Sequence, residues 1–360
     1  MLPDTLSAQQ RSVLTQSAMR ILVIGGNGFI GSPLVRELRD SGHQVAVFHR
    51  RHDAGLGDVE QIQGDRNRFV EYRNELSRFA PEVIVDLILS SGDQARELMR
   101  TVRDVAARLV AISSMDVYRA WGVLHGVEPG PLEPLPLRED SPLRTTRQLY
   151  PAETVQMMQR VFSWLDDRYD KIAAEETIRG DPQVQWTVLR LPMVYGPKDP
   201  LHRFFPLLKR IADGRSSILL SDDFAAWRGP RGYVENVAHA IAIAATSDRA
   251  AGSVYNICEE PTLPELEWQR KIAGQMKWAG RFVVLARERV PKHLLLPGNA
   301  AQHVVASSER IRSELGYREP VESDEAIRRT IAWEQQNPPS SIHKEQFDYA
   351  AEDAAFAKTA

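Results

Sequence analysis

The sequence predicts an α/β protein: a doubly wound parallel sheet followed by a smaller C-terminal α/β domain. Three observations carry that expectation. From residue 20 onward, short apolar runs alternate with segments of helical period. The runs are apolar throughout, as strands buried on both faces require. A glycine-rich turn joins the first run to the first helical segment. In order, "RILVIGG" (20–26) is a strand ending in glycine, and "FIGSPLVRELRDSG" (29–42) is a helix stopped by Gly42. "HQVAVFHR", "VEQIQGD", "PEVIVDLIL" and "RLVAISS" follow as strands two to five, with "GDQARELMRTVRDVAA" helical between the last two. Residues 119–152 break the rhythm, because the Pro-rich "EPGPLEPLPLREDSPLR" cannot sit inside a helix. A long helix is expected over roughly 153–180, then the strand "VQWTVLRLP".

Composition bounds the function classes. The chain has 360 residues, is 43% hydrophobic and 26% charged, and carries a formal net charge of −3. That near-balance argues against nucleic acid or an anionic membrane as the main partner. The single cysteine, Cys258, excludes an internal disulfide framework and suits a reducing compartment. No apolar run approaches the roughly 20 residues that span a bilayer, and the first 19 residues have no apolar signal core. A cytoplasmic protein acting on a small molecule is expected. The histidines form no metal-ligand spacing, so no metal is expected.

The turn "GGNGFIG" places Gly25, Gly28 and Gly31 between strand and helix. There the chain must bend tightly, let its backbone approach a pyrophosphate, and seat the helix on the sheet. The amides that open the helix then face the phosphates. Asn27, Phe29 and Ile30 complete this turn as cofactor contacts. The spacing GxxGxxG resembles the short-chain dehydrogenase/reductase superfamily, and more narrowly its extended branch, the NAD-dependent epimerase/dehydratase family. The resemblance covers roughly residues 20–335 and implies a Rossmann-type fold. It divides the chain into a polar extension (1–19), a dinucleotide-binding domain (20–195 plus part of 230–258), a substrate domain (196–229 and 259–336) and a tail (337–360). About 20 residues past the glycines, where an acid would accept from an NAD ribose, stand His49, Arg50 and Arg51. A guanidinium suits a 2′-phosphate, which points to NADP over NAD. By the resemblance, Asp65 holds the adenine amino group, and Leu87 and Ile88 pass beside the adenosine ribose.

"AISSMDVY" resembles the family's SSxxVY signature, which implies that Ser114 binds the substrate oxygen and puts Tyr118 nearby. "LRLPMVYGP" implies Pro192 facing the nicotinamide carboxamide. The family pairs a tyrosine and a lysine four residues apart, which share a helix face. "DDRYDKIAAEE" (166–176) matches only the lysine half, so Lys171 takes the ribose role. Four residues upstream stands Asp167, and Tyr169 is only two away. Three readings stay open: Tyr169 reaches the site from an irregular first turn; Tyr118, Tyr150 or Asp167 substitutes; or the site binds dinucleotide without the usual chemistry. Met157, Met158, Phe162 and Trp164 read as packing around a rebuilt roof.

In the C-terminal half, Arg228 and Arg231 stand near the family's diphosphate-binding arginine, Asn236 replaces the usual Asp, and His202, Arg203 and Trp227 share the neighbourhood. The expected function is an atypical NAD(P)-dependent epimerase/dehydratase or reductase on a sugar-like or carbonyl substrate. Its site residues are Ser114, Tyr169 and Lys171. The alternative is a non-catalytic NAD(P)-binding redox sensor or RNA-associated protein. Family members often pair as homodimers, which the resemblance extends to this chain.

Overall fold

The computed structural model describes residues 18–50 and 54–357. Its centre is a seven-stranded sheet in which every neighbouring pair is parallel. The strands are β1 (Arg20–Ile24), β2 (Gln44–His49), β3 (Glu60–Gln63), β4 (Val83–Asp86), β5 (Arg108–Ser114), β6 (Gln185–Leu191) and, after an interval, β10 (Ser253–Asn256). Their order is β10-β6-β5-β4-β1-β2-β3, so the winding reverses between β1 and β4. In open α/β sheets a ligand crevice opens beyond the carboxyl ends of the strands at that point.

The strands read as apolar runs because both faces are covered. Ile21, Val23, Val45, Val47 and Val85 enter one core with the helices Gly31–Asp40 and Val234–Thr246. Leu22, Ile24, Ala46, Phe48 and Ile84 alternate into the other, under Gly92–Val105 and Lys171–Arg179. Two small parallel sheets complete the chain: β7 (Met193–Tyr195) with β9 (Arg231–Tyr233), and β8 (Ser217–Ser221) with β11 (Arg281–Leu285). The tail does not project: its helix Tyr349–Ala357 docks through a buried Arg210–Glu352 ion pair of 2.7 Å, with Ala355 packed among Leu219 and Leu285. No described helix is long and apolar enough to cross a membrane.

One expected element is corrected. The helix over 153–180 is two helices, Ala152–Val161 and Lys171–Arg179, with irregular chain between. The aspartates of "LDDRYD" explain the break, since their carboxylates bond local backbone in competition with a helix. Asp166 accepts from the Arg168 amide at 2.8 Å, and Asp170, in extended conformation, caps the second helix by accepting from the Ala173 amide at 3.0 Å. The Pro-rich segment has one short helix, Arg119–Leu124, and then runs as a loop closed by Glu128, which accepts from the amides of Thr145 and Thr146 at 2.7 and 2.6 Å.

A buried ion pair clamps the Lys171–Arg179 helix to the sheet. Arg190 on β6 donates to both oxygens of Glu175 at 3.0 and 2.7 Å, and Ser113 on β5 adds a bond of 2.6 Å. Both charged residues are almost wholly buried. Glu175→Ala strands the Arg190 cation, which costs about 3–5 kcal/mol. Urea unfolding is expected to show a correspondingly lower midpoint; an unchanged midpoint contradicts the clamp.

Candidate active site

The glycine turn begins where β1 leaves the sheet. The Gly25 amide donates to Phe48 O at 2.9 Å, its φ is +82°, and the Gly28 amide returns to Gly25 O at 3.0 Å. Positive φ favours glycine at position 25. Close approach demands it at position 31, where a Cβ would lie 2.3 Å from Gly25 O and 2.6 Å from Gly26 Cα. The helix that follows has Ile30 at its N-cap with no side-chain hydrogen bond, and no acid in its first turn. The Ser32 amide turns back to Gly28 O at 2.9 Å and Pro33 has no N–H, so the Gly31 amide is the first-turn donor that no side chain takes, and the positive end of the dipole is uncancelled. Asn27, Phe29 and Ile30 are half-buried along this turn, and Gly28 is exposed.

Neighbouring strands wall the turn. Asp86 ends β4 buried against Arg66 at 2.6 Å and accepts from the Ile88 amide at 3.0 Å. The Leu87 amide donates to Ile24 O at 3.1 Å, and Ile88 packs directly over Gly25. His49 is buried at the end of β2, and the Arg50 guanidinium donates to the Ser163 hydroxyl. Arg51 lies outside the described residues. Asp65 is half-exposed and caps a turn by accepting from the Asn67 amide at 2.9 Å. Pro192 is half-buried between β6 and β7, close against Gly232.

Beyond β5 the chain assembles a polar cluster. The Ser114 hydroxyl accepts from the Asp116 amide at 3.2 Å. The Tyr169 hydroxyl donates to Asp116 Oδ2 at 2.7 Å, with the Ser114 hydroxyl close by. Tyr150 donates to the same oxygen at 3.3 Å. Burial, and then the Asp116 charge, push the Tyr169 phenol well above its ordinary range. Lys171 opens the second helix; its ammonium is buried, donating to Ile112 O at 3.0 Å and to Leu89 O, with the Trp164 ring 5.8 Å away. Burial pulls its pKa down to about 8, and the carboxylates of Asp116, Asp86 and Glu175 oppose that fall.

The structure thus brings Ser114, Tyr150, Tyr169 and Lys171 together, and leaves the other tyrosine and the aspartate elsewhere. Because residues 162–170 are not helical, the two-residue spacing of Tyr169 and Lys171 does not put them on opposite faces. Asp167 is exposed and accepts from Gln159 at 2.7 Å. Tyr118 is fully buried, its hydroxyl held between Arg190 at 2.9 Å and Asn256 at 2.7 Å, so its expected substrate contact is not made from this position. Arg231 pairs with Glu265 and lies 5.0 Å over Trp268, and Arg228 is exposed beside His303. His202 meets Glu334 at 2.6 Å, Arg203 meets Asp199 at 2.7 Å, and Trp227 is buried with its indole on Gln302 O. Sequence reasoning passed over Asp116, although it stands two residues after Ser114. It also passed over Arg144, which donates to Asp116 O from the Pro-rich segment, where no pattern marks it. Among the described residues no group of His, Cys, Asp and Glu is placed to hold a metal.

A wound parallel sheet with a glycine turn at its switch point is the architecture of dinucleotide-binding folds. More narrowly, the chain belongs to the NAD dependent epimerase/dehydratase family, whose description it matches over residues 21–258. It is 23% identical to 2′-dehydrokanamycin reductase of Streptomyces kanamyceticus over 266 residues, 71% of this chain and 66% of that protein's length. In structure it resembles the UDP-glucose 4-epimerase of Thermotoga maritima, solved with UDP-glucose (TM-score 0.64, 17% identity, covering 88% of this chain and 99% of the other). It also resembles a short-chain dehydrogenase/reductase superfamily protein of Agrobacterium tumefaciens with bound NAD (TM-score 0.62, 18% identity, 88% and 97% covered). At such identities the structural likeness speaks for the fold.

The crowding at Gly31 gives a direct test. Gly31→Ala forces the turn apart, at about 1–3 kcal/mol for an overpacked methyl. Thermal unfolding is expected to show a lower midpoint than wild type, and an equal midpoint contradicts the close approach.

Proposed function

We propose that this chain is an NAD(P)-dependent reductase acting on the carbonyl group of a sugar-like substrate. The observation that carries the reading is the Tyr169 hydroxyl. It sits beside Ser114, in one buried cluster with Lys171, and donates to a carboxylate.

The residues fit a nicotinamide dinucleotide. The Gly25–Gly31 turn offers space that a Cβ would fill and a first-turn amide that no side chain caps, as a pyrophosphate requires. Leu87 and Ile88 would lie along the adenosine side, Asp65 near the adenine, and Pro192 near the nicotinamide. Arg50 favours the 2′-phosphate form, since a guanidinium fork matches phosphate oxygens. When bound, such a coenzyme supplies the hydride.

Ser114 orients the carbonyl oxygen by donating a hydrogen bond. As that oxygen gains negative charge, Tyr169 gives it a proton. Lys171 beside the site offsets the phenolate that remains. The electrostatics set the resting state of Tyr169. Burial and Asp116 both oppose a resting phenolate, so Tyr169 holds its proton until a stronger base, the forming alkoxide, takes it. The same shift makes the phenol a weaker acid than a free one, so its proton moves only as charge builds on the substrate oxygen. The likeness to 2′-dehydrokanamycin reductase supports this choice over an epimerase.

The test is coenzyme oxidation, followed by absorbance, with a panel of ketones and keto sugars. Tyr169→Phe is expected to lower kcat by about 100-fold or more, the range of general acid catalysis, while coenzyme still shifts the melting temperature. Wild-type turnover in Tyr169→Phe contradicts the assignment.

A further inference from the structure

The smaller domain holds a cavity of about 360 Å³ that shares no residue with the cluster of Ser114, Tyr169 and Lys171. It lies between the helices Phe205–Ala212 and Glu265–Gln275, strand β8 and the segment 293–297, with Gln346 of the tail on one wall. Most of the wall is hydrocarbon, to which Leu207, Leu219, Leu220, Phe224, Leu294 and Leu295 contribute. Phe204 and Trp268, also on the wall, pack on Tyr195 at 5.4 and 5.2 Å, so the cavity backs onto β7.

The ionisable side chains on the wall are Arg203, Arg210, His293 and Glu265, and each already has a partner of the opposite kind. Arg203 meets Asp199 at 2.7 Å, and Glu265 pairs with Arg231. Arg210 and His293 meet the same oxygen of Glu352, on the tail helix, at 2.7 and 3.1 Å. Gln269 is spent on Glu265 at 2.9 Å. Asp199 and Glu352 are 2% and 0% exposed. A phosphate or carboxylate entering the cavity would have to draw a guanidinium off one of these buried carboxylates, and a buried charge left alone is strongly destabilising. A hydrocarbon group disturbs none of these pairs.

We infer that the smaller domain binds an uncharged hydrocarbon group in this cavity, an alkyl chain or an aromatic ring system, and refuses a nucleotide there. The volume suits such a ligand. An apolar cavity of about 150 Å³ holds benzene, so this one takes roughly two rings or an alkyl chain of similar bulk. The tail helps to build the site. Besides Glu352, it brings the Gln346 carbonyl, which accepts from Arg210 at 2.8 Å. The tail therefore closes one wall and neutralises the two basic groups, Arg210 and His293, that would otherwise attract an anion. This inference does not depend on the carbonyl reduction proposed above.

The experiment titrates the full chain with 1-naphthylamine, an uncharged pair of fused rings whose emission moves to the blue in apolar surroundings. Saturable binding at a single site is expected. Straight-chain alcohols from butanol to octanol are expected to displace the dye, each added CH2 tightening the competition by about fourfold. UDP, part of the ligand of the Thermotoga epimerase structure, is expected to leave the dye in place. Leu294→Asp is expected to weaken dye binding about tenfold or more, since it sets a charge in the apolar wall. Leu294→Trp fills the space instead, with a similar loss expected, and decides the matter if Leu294→Asp does not fold. Val284→Asp, at an exposed position outside the cavity, is expected to bind as wild type does. Absence of saturable binding, wild-type affinity in both Leu294 variants, an equal loss in Val284→Asp, or displacement by UDP overturns the inference. None of these readouts needs turnover, so failure of the proposed reduction is seen separately.

Discussion

A carboxylate shielded from water organises this site. Asp116 takes two phenols on a single oxygen, Tyr169 at 2.7 Å and Tyr150 at 3.3 Å, and such charge-assisted bonds are among the stronger ones a protein makes. In a regular helix a tyrosine two residues before a lysine would point away from it. Here the hydrogen bond to Asp116, not helical register, sets where Tyr169 goes. The irregular chain of 162–170 exists to allow it, and the aspartates on either side stop that chain from winding into a helix.

The rest of the fold supports that placement from below. Glu175 and Arg190 lock the helix that Lys171 opens onto β5 and β6, and Ser113 adds a third point of attachment. Ser114 then follows at the end of β5, the next residue along. Sheet, clamp and cluster are therefore one chain of contacts, running from fully buried strands to a polar cluster beyond β5. The Pro-rich segment closes the far side. It supplies Arg144 to the Asp116 carbonyl and lays Tyr150 against Tyr169. Lys171 holds its ammonium in carbonyl contacts and near three carboxylates.

Much of this was legible in the sequence. Apolar runs gave the strands, because a sheet covered on both faces leaves no reason to alternate. The glycines marked the turn, because Gly31 meets backbone where any Cβ would clash. The place of Tyr169 was harder, since spacing rules apply only inside a helix and the break at 162–170 depends on where Asp166 and Asp170 find backbone amides. Tyr118 shows the opposite failure. A motif position suggested the site, whereas Arg190 and Asn256, distant in sequence, draw its hydroxyl into the core. Asp116 lay in plain view between Ser114 and Tyr118, yet a lone acid in a strand-ending motif says nothing until the phenols that reach it are known. Arg231 could not be judged without Glu265, its partner in the fold.

The central claim is that Tyr169, steered by Asp116, occupies the place that the family gives to a tyrosine four residues before its lysine. A crystal structure with oxidised coenzyme and a substrate ketone tests this most directly. The account predicts the Tyr169 and Ser114 hydroxyls within hydrogen-bond distance of the ketone oxygen, beside the nicotinamide ring, with Asp167 in solvent. A ketone oxygen held by Asp167 or another group, with Tyr169 still turned to Asp116 and out of reach, would contradict it.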